Sequence, residues 1–144
     1  DAATALTRLV DLGIEPYLVA STVAAVLAQR LVRRICESCR RPGELTDDQR
    51  SALGESGTAL REVWEGEGCD ECRRTGYSGR TGIYELLVME PRLREAVLED
   101  VNISAGRLQA LAQEAGMKLL KEDGLRLVAE GVTTVEEVLR VAGV

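Results

Sequence analysis

All four cysteines of this 144-residue chain fall in two C-x-x-C pairs, Cys36-Glu37-Ser38-Cys39 and Cys69-Asp70-Glu71-Cys72. Such a pair sets two thiols on one tight turn, where both reach a single cation. Two turns facing each other supply a tetrahedral set of four sulfurs. No histidine and no fifth cysteine offers a competing ligand. The spacing is that of a closed structural Zn²⁺ site with Cys36, Cys39, Cys69 and Cys72 as ligands. It constrains everything between the pairs, because that polar excursion carries too few apolar residues to fold unanchored.

Three other uses of the cysteines compete with zinc. Two disulfides suit an exported protein, and the sequence carries no export signature. A redox C-x-x-C stands near a helix start and needs only one pair. Tetrathiolate iron of rubredoxin type uses the same two-pair spacing, but with Gly after each pair and an aromatic core. Here Arg40 and Arg73 follow the pairs, and there is no Phe. Zinc is therefore the favoured ion. Four thiolates around zinc leave a charge of about −2. Arg33, Arg34, Arg40 and Arg41 bracket the first pair, and Arg73 and Arg74 follow the second. Some of these, with backbone N–H groups, are expected to offset that charge, and Trp64 is expected to cover one side of the site.

The apolar 45% of the chain is Leu, Val and Ala with 3% aromatics, which suits packed helices better than a β-sandwich. A net charge of −6 repels phosphate backbones, and the basic patch lacks interleaved aromatics, so nucleic acid is an unexpected partner. No apolar run approaches the roughly 20 residues a membrane helix needs, so direct insertion is not expected. Reduced, metal-bound thiols point to the cytoplasm.

Read in order, residues 2–12 have helical apolar spacing, closed by Gly13. A second helix is expected from Pro16 through Leu27, apolar nearly all round and so buried. Residues 29–35 read as a short strand into the first pair. Thr46 and Gln49 form a capping box for a helix to Leu53, which Gly54 and Gly57 end. Val63 and Trp64 approach the second pair as a strand. The glycine-rich run 76–82 lacks a Gly-Lys-Ser/Thr ending and precedes a strand, so it reads as a turn and not a phosphate loop. Residues 83–88 are almost continuously apolar, typical of a strand covered on both faces. Helices are then expected from Pro91, from Ser104, over 117–130, and from a second capping box at Thr134 and Glu137.

The fold class expected is α+β, mainly helical with a few short strands. It comprises a first segment (1–35), a tetracysteine zinc-binding subdomain (36–75), and a strand with a C-terminal helical bundle (76–144). No catalytic and no nucleotide-binding residue can be named. There is no histidine, no phosphate loop, and no nucleophile beside an activating base. Paired acids such as Asp47-Asp48 and Glu136-Glu137 fall at helix starts, where they favour the helix dipole.

The stretch Leu12-Gly13-Ile14-Glu15-Pro16-Tyr17-Leu18-Val19-Ala20-Ser21 resembles the region just after the histidine box of the secretion ATPases. These are the motors of type II secretion and type IV pilus assembly. The likeness continues through Leu27 to Arg33, both cysteine pairs and Gly76 to Leu87, fades over 42–66, and returns weakly at 124–138. The resemblance implies that Cys36, Cys39, Cys69 and Cys72 are the family's tetracysteine zinc ligands. It implies that the full-length protein is a cytoplasmic homo-hexamer using ATP and Mg²⁺, held peripherally at the inner membrane by secretion platform proteins. The wording of residues 14–18 leans toward type II secretion. The phosphate loop and acidic boxes of that family have no counterpart here, so no catalytic residue is carried over.

Overall fold

The computed structural model describes residues 1–55 and 60–142; Gly57 lies outside the described residues. The elements are α1 (Ala2–Asp11), α2 (Pro16–Thr22), β1 (Ala25–Ile35), a 3₁₀ turn (Glu37–Cys39), β2 (Arg40–Gly43), α3 (Asp47–Leu53) and β3 (Val63–Gly66). Then come β4 (Tyr77–Val88), α4 (Pro91–Glu99), α5 (Ala105–Glu114), α6 (Leu120–Ala129) and α7 (Val135–Ala142). The chain is mainly helical with few strands, as its composition indicates. Strand β1 pairs with β4, and β2 with β3. Among the described residues no helix is long and apolar enough to cross a membrane. The chain divides into two compact units, residues 1–29 with 84–120 and residues 30–83 with 121–144. The C-terminal helices divide between them, α4 and α5 in the first and most of α6 with α7 in the second.

In the first unit, Asp1 caps α1 by accepting the Thr4 N–H at 2.7 Å, satisfying a donor that helix geometry leaves free. Helix α1 buries Ala2, Ala3 and Leu6, and the core is completed by Val19, Leu87, Leu93, Val97 and Leu108. Helix α2 ends at Thr22, not Leu27. Val23 turns to extended backbone, and the carbonyl of Ala24 accepts the Met89 N–H at 2.9 Å, so Val26 and Leu27 belong to β1. The expected all-round burial of α2 is also corrected: Val19 and Ala20 are buried, while Tyr17 and Leu18 are exposed.

The strand expected to be covered on both faces is covered on one. Ile83, Glu85 and Leu87 are buried, whereas Tyr84, Leu86 and Val88 are exposed. This is ordinary period-two alternation, and it sends a carboxylate inward. Glu85 accepts the Ala2 N–H at 2.8 Å and the Leu120 N–H at 3.2 Å, so its charge is met by backbone donors.

In the second unit, β2 and β3 run antiparallel with Arg40 opposite Gly66 and Gly43 opposite Val63. The Thr46–Gln49 capping box forms as the spacing indicates, with bonds of 3.2 and 3.1 Å. Leu53, Leu125, Val128, Val135 and Val138 make the core. The run expected as a turn is a strand from Tyr77 onward; Gly79 adopts φ +77° within it, a conformation that favours glycine. At Thr134 only half of the expected capping box exists. The Glu137 N–H reaches Thr134 Oγ at 3.3 Å, but the carboxylate of Glu137 turns to Arg33 and Arg140.

Candidate metal centre

The first knuckle forms where β1 ends. Cys36 is extended, and the Glu37–Cys39 turn brings Cys39 back, closed by the Cys39 N–H on the Cys36 carbonyl. Neither pair opens an α-helix, so the redox arrangement is absent among the described residues. The second knuckle is a turn over residues 69–74. The Arg74 N–H bonds the Cys69 carbonyl at 2.8 Å, and Arg73 and Arg74 take positive φ of 55° and 64°. Two backbone bonds join the knuckles, Cys36 N–H to the Gly76 carbonyl at 2.9 Å and Glu67 N–H to the Cys39 carbonyl at 3.1 Å. Ser38 and Glu71 bond across the gap.

This seam requires glycine at two positions. A Cβ on Gly66 would lie 2.0 Å from the Gly76 carbonyl oxygen, and one on Gly76 would lie 2.5 Å from that of Gly66. Only chains without side chains approach so closely.

The four sulfurs converge, all within 4.8 Å of one another. Cys36–Cys69 and Cys39–Cys72 are 3.9 Å apart and Cys69–Cys72 3.8 Å, with all four thiols free of disulfides. A metal–sulfur bond of about 2.3 Å in tetrahedral geometry places neighbouring sulfurs about 3.8 Å apart. Cys36 and Cys72 are buried, and the other two are half-buried. The donor set and its spacing therefore fit a divalent ion in a closed site.

Backbone amides face the sulfurs. Gly68 N–H reaches Cys39 Sγ at 3.3 Å, and the N–H groups of Cys69 and Gly76 both reach Cys72 Sγ at 3.2 Å. The Cys69 N–H, helped by that of Gly76, draws the Cys72 thiol down to about 6 against the opposing effect of burial. Burial pushes Cys39 up to about 11, although the Gly68 N–H pulls it down. Sulfurs this close cannot all carry negative charge unaided; a divalent ion bound among them would hold all four as thiolates and remove the conflict.

Five of the six arginines expected to offset the cluster, Arg33, Arg34, Arg40, Arg41 and Arg74, have partners other than sulfur. Arg34 pairs with Glu37, Arg41 with Glu65 and Glu67, and Arg74 with Asp70. No hydrogen bond to sulfur comes from an arginine among the described residues; the donors are backbone. Trp64 stacks under the Arg40 guanidinium, 4.7 Å from its ring centre, and lies where a side chain on Gly131 would stand.

Glu137, which its spacing marks only as a capping residue, is instead a heavily bonded buried carboxylate. It is fully buried and accepts Arg33 Nη2 at 2.7 Å, the Arg33 backbone N–H at 2.8 Å, and Arg140 Nε and Nη2 at 3.0 and 2.8 Å. Burial alone would push its carboxyl up; the bonds from Arg140 and Arg33 reverse this and hold it at about 2. Those same bonds raise both guanidinium groups. Three residues before Cys36, Arg33 is fixed further by the Tyr77 ring, 4.0 Å away, and by its carbonyl, which accepts Thr133 Oγ at 2.7 Å.

Residues 1–140 match the family model described as "Type II/IV secretion system protein". Type II secretion system protein E of Aeromonas hydrophila is 44% identical over 142 residues, covering 97% of this chain and 27% of that protein. Type II secretion system protein HxcR of Pseudomonas aeruginosa is 45% identical over 141 residues, covering 98% and 26%. Type IV pilus assembly ATPase PilB of Thermus thermophilus is 42% identical over 143 residues, covering 96% and 16%. The chain spans about a quarter of the length of the first two relatives.

Proposed function

Because the chain belongs to the type II/IV secretion system protein family, we propose that it is the zinc-stapled part of a secretion motor ATPase, following the nucleotide-binding core of a longer polypeptide. One observation carries this: the match over residues 1–140 takes in both cysteine pairs, whose sulfurs stand at tetrahedral spacing. Cys36, Cys39, Cys69 and Cys72 would hold the ion, which supplies a rigid cross-link and no reaction step. The staple joins the polar excursion to β1 and β4 and makes it a stiff contact surface for a neighbouring subunit or membrane-platform protein. The whole protein is a cytoplasmic hexamer that hydrolyses ATP with Mg²⁺ and drives pseudopilus assembly in type II secretion.

A second reading, a motor of type IV pilus assembly, is supported by the 42% identity to PilB against 44–45% for the type II relatives. Restoring a motor-deleted strain with the longer polypeptide separates the two: regained protein export supports the first, regained surface pili the second. The metal is tested on the purified chain. One zinc per chain in a colourless sample supports the proposal, and iron with visible absorption overturns it. Exchanging Cys36 and Cys39 for Ser should release the ion and open residues 36–72 to protease first. Unchanged cleavage there counts against the staple.

A further inference from the structure

An open cleft of about 550 Å³ in the second unit is lined by Arg33, Arg80, Arg140 and Leu31. Two of these guanidinium groups, Arg33 and Arg140, share one buried carboxylate, Glu137, which fixes them in place. Each guanidinium carries about five N–H donors. Arg33 uses one side-chain donor on Glu137 and Arg140 two, while Arg80 has no hydrogen bond or ion pair among the described residues. Arg33 Nε is buried without a partner. The arginines at 41, 74, 92 and 126, by contrast, each meet a carboxylate of their own. Glu136, exposed beside the cleft, acts on Arg33 and Arg140 through space only. The result is a concentration of unmatched positive charge on a chain whose net charge is −6.

We propose that this cleft binds a phosphate-type polyanion, held by the forks of Arg33, Arg80 and Arg140. A planar carboxylate is satisfied by one or two forks, as Glu137 itself illustrates, whereas three groups entering from β1, β4 and α7 suit an oxyanion with acceptors in several directions. Two of the three are held in place before any ligand arrives, so little rotamer freedom is lost on binding. Leu31 is the sole apolar residue of the lining, and the lining includes no aromatic ring, Tyr77 being stacked on Arg33. The cleft therefore reads phosphate and ignores what is attached to it. The source is either free inorganic phosphate or diphosphate, or the phosphate chain of a nucleotide. This reading is independent of the metal centre and of the motor assignment.

The test follows the arginine Nε–H resonances of the ¹⁵N-labelled, zinc-loaded chain during titration with sodium diphosphate at constant ionic strength, and separately with ADP. Residue-specific signals keep a nucleotide site elsewhere from being mistaken for this one. Saturable shifts confined to Arg33, Arg80 and Arg140 are expected, with diphosphate and ADP reaching the same midpoint within about twofold. Arg80→Ala removes no internal bond and should weaken binding by about tenfold, because charge-assisted hydrogen bonds are lost. Arg80→Lys, which keeps charge without the fork, should fall between. No saturable response up to about 10 mM diphosphate would overturn the proposal. So would shifts shared equally with Arg92 and Arg126, unchanged binding in Arg80→Ala, or ADP binding about tenfold tighter than diphosphate.

Discussion

Glu137→Gln isolates the buried carboxylate that holds Arg33 and Arg140. The side chain is fully buried, and its carboxyl is held at about 2 against an ordinary 4.5. A folded-state value below the unfolded one means that protonation opposes folding. The stabilisation is present in full above about 4.5 and is lost progressively as pH falls toward 2. Its size at neutral pH is on the order of 3 kcal/mol, from 1.4 kcal/mol for each tenfold change in proton affinity. Glutamine keeps the shape and one acceptor but sets an NH₂ against a guanidinium, so a loss of about 3 kcal/mol is expected at pH 7. Trp64 is the only tryptophan and lies in the same unit as Glu137, so its fluorescence in urea titrations reports the unfolding of that unit. Any ion held by the four cysteines would also be lost in acid, but equally in both proteins. The informative quantity is therefore the difference between wild type and variant, which should shrink from about 3 kcal/mol at pH 7 toward zero near pH 2. Parallel curves through the acid range would refute the reasoning, as would a cost below about 0.5 kcal/mol at neutral pH.

Gly66→Ala places a methyl 2.0 Å from the Gly76 carbonyl oxygen, which is tied to Cys36 and cannot withdraw. A cost on the order of 3 kcal/mol is expected, read as faster zinc loss to a competing chelator; retention equal to wild type contradicts the seam. In the first unit, Leu87→Ala should cost about 2–5 kcal/mol in chemical denaturation, whereas its exposed neighbour Leu86→Ala should stay within about 0.5 kcal/mol. Equal effects at the two positions would mean that the strand is covered on both faces after all.

What was legible in the sequence is what local chemistry imposes. Thiols able to share an ion come in short-range pairs, so the grouping of Cys36, Cys39, Cys69 and Cys72 was visible in their spacing, and the structure brings the four sulfurs within 4.8 Å of one another. The caps at Thr46 and Ser104 were visible for the same reason, since a cap reaches only three residues along the chain. The limit of α2 was not. Pro16 marks its start, but its end depends on the pairing of Ala24 with Met89, and an apolar run does not distinguish the last turn of a helix from the first residues of a strand.

The charged residues mark the boundary more sharply. In Ile83-Tyr84-Glu85-Leu86-Leu87 the acid shares a face with Ile83 and Leu87, so strict alternation already commits it to the interior. Reading the run as merely apolar hides that commitment. Glu137 is similar: it lies one position from the core residue Val138 and three before Arg140, which shows one partner. Its other partner, Arg33, is 104 residues away and leaves no mark on local spacing. Yet a carboxylate at an inward position must be neutralised, capped or paired, because leaving it bare costs several kcal/mol. Glu85 meets that demand with backbone N–H groups and Glu137 with two guanidinium groups. The difference has a structural consequence. Backbone donors bind a carboxylate within its own unit and leave no surplus charge, whereas two arginines on one carboxylate leave a net positive charge facing outward. Burial of Glu137 thus accounts for both the fixed geometry of Arg33 and Arg140 and the electrostatic character of the cleft they line with Arg80.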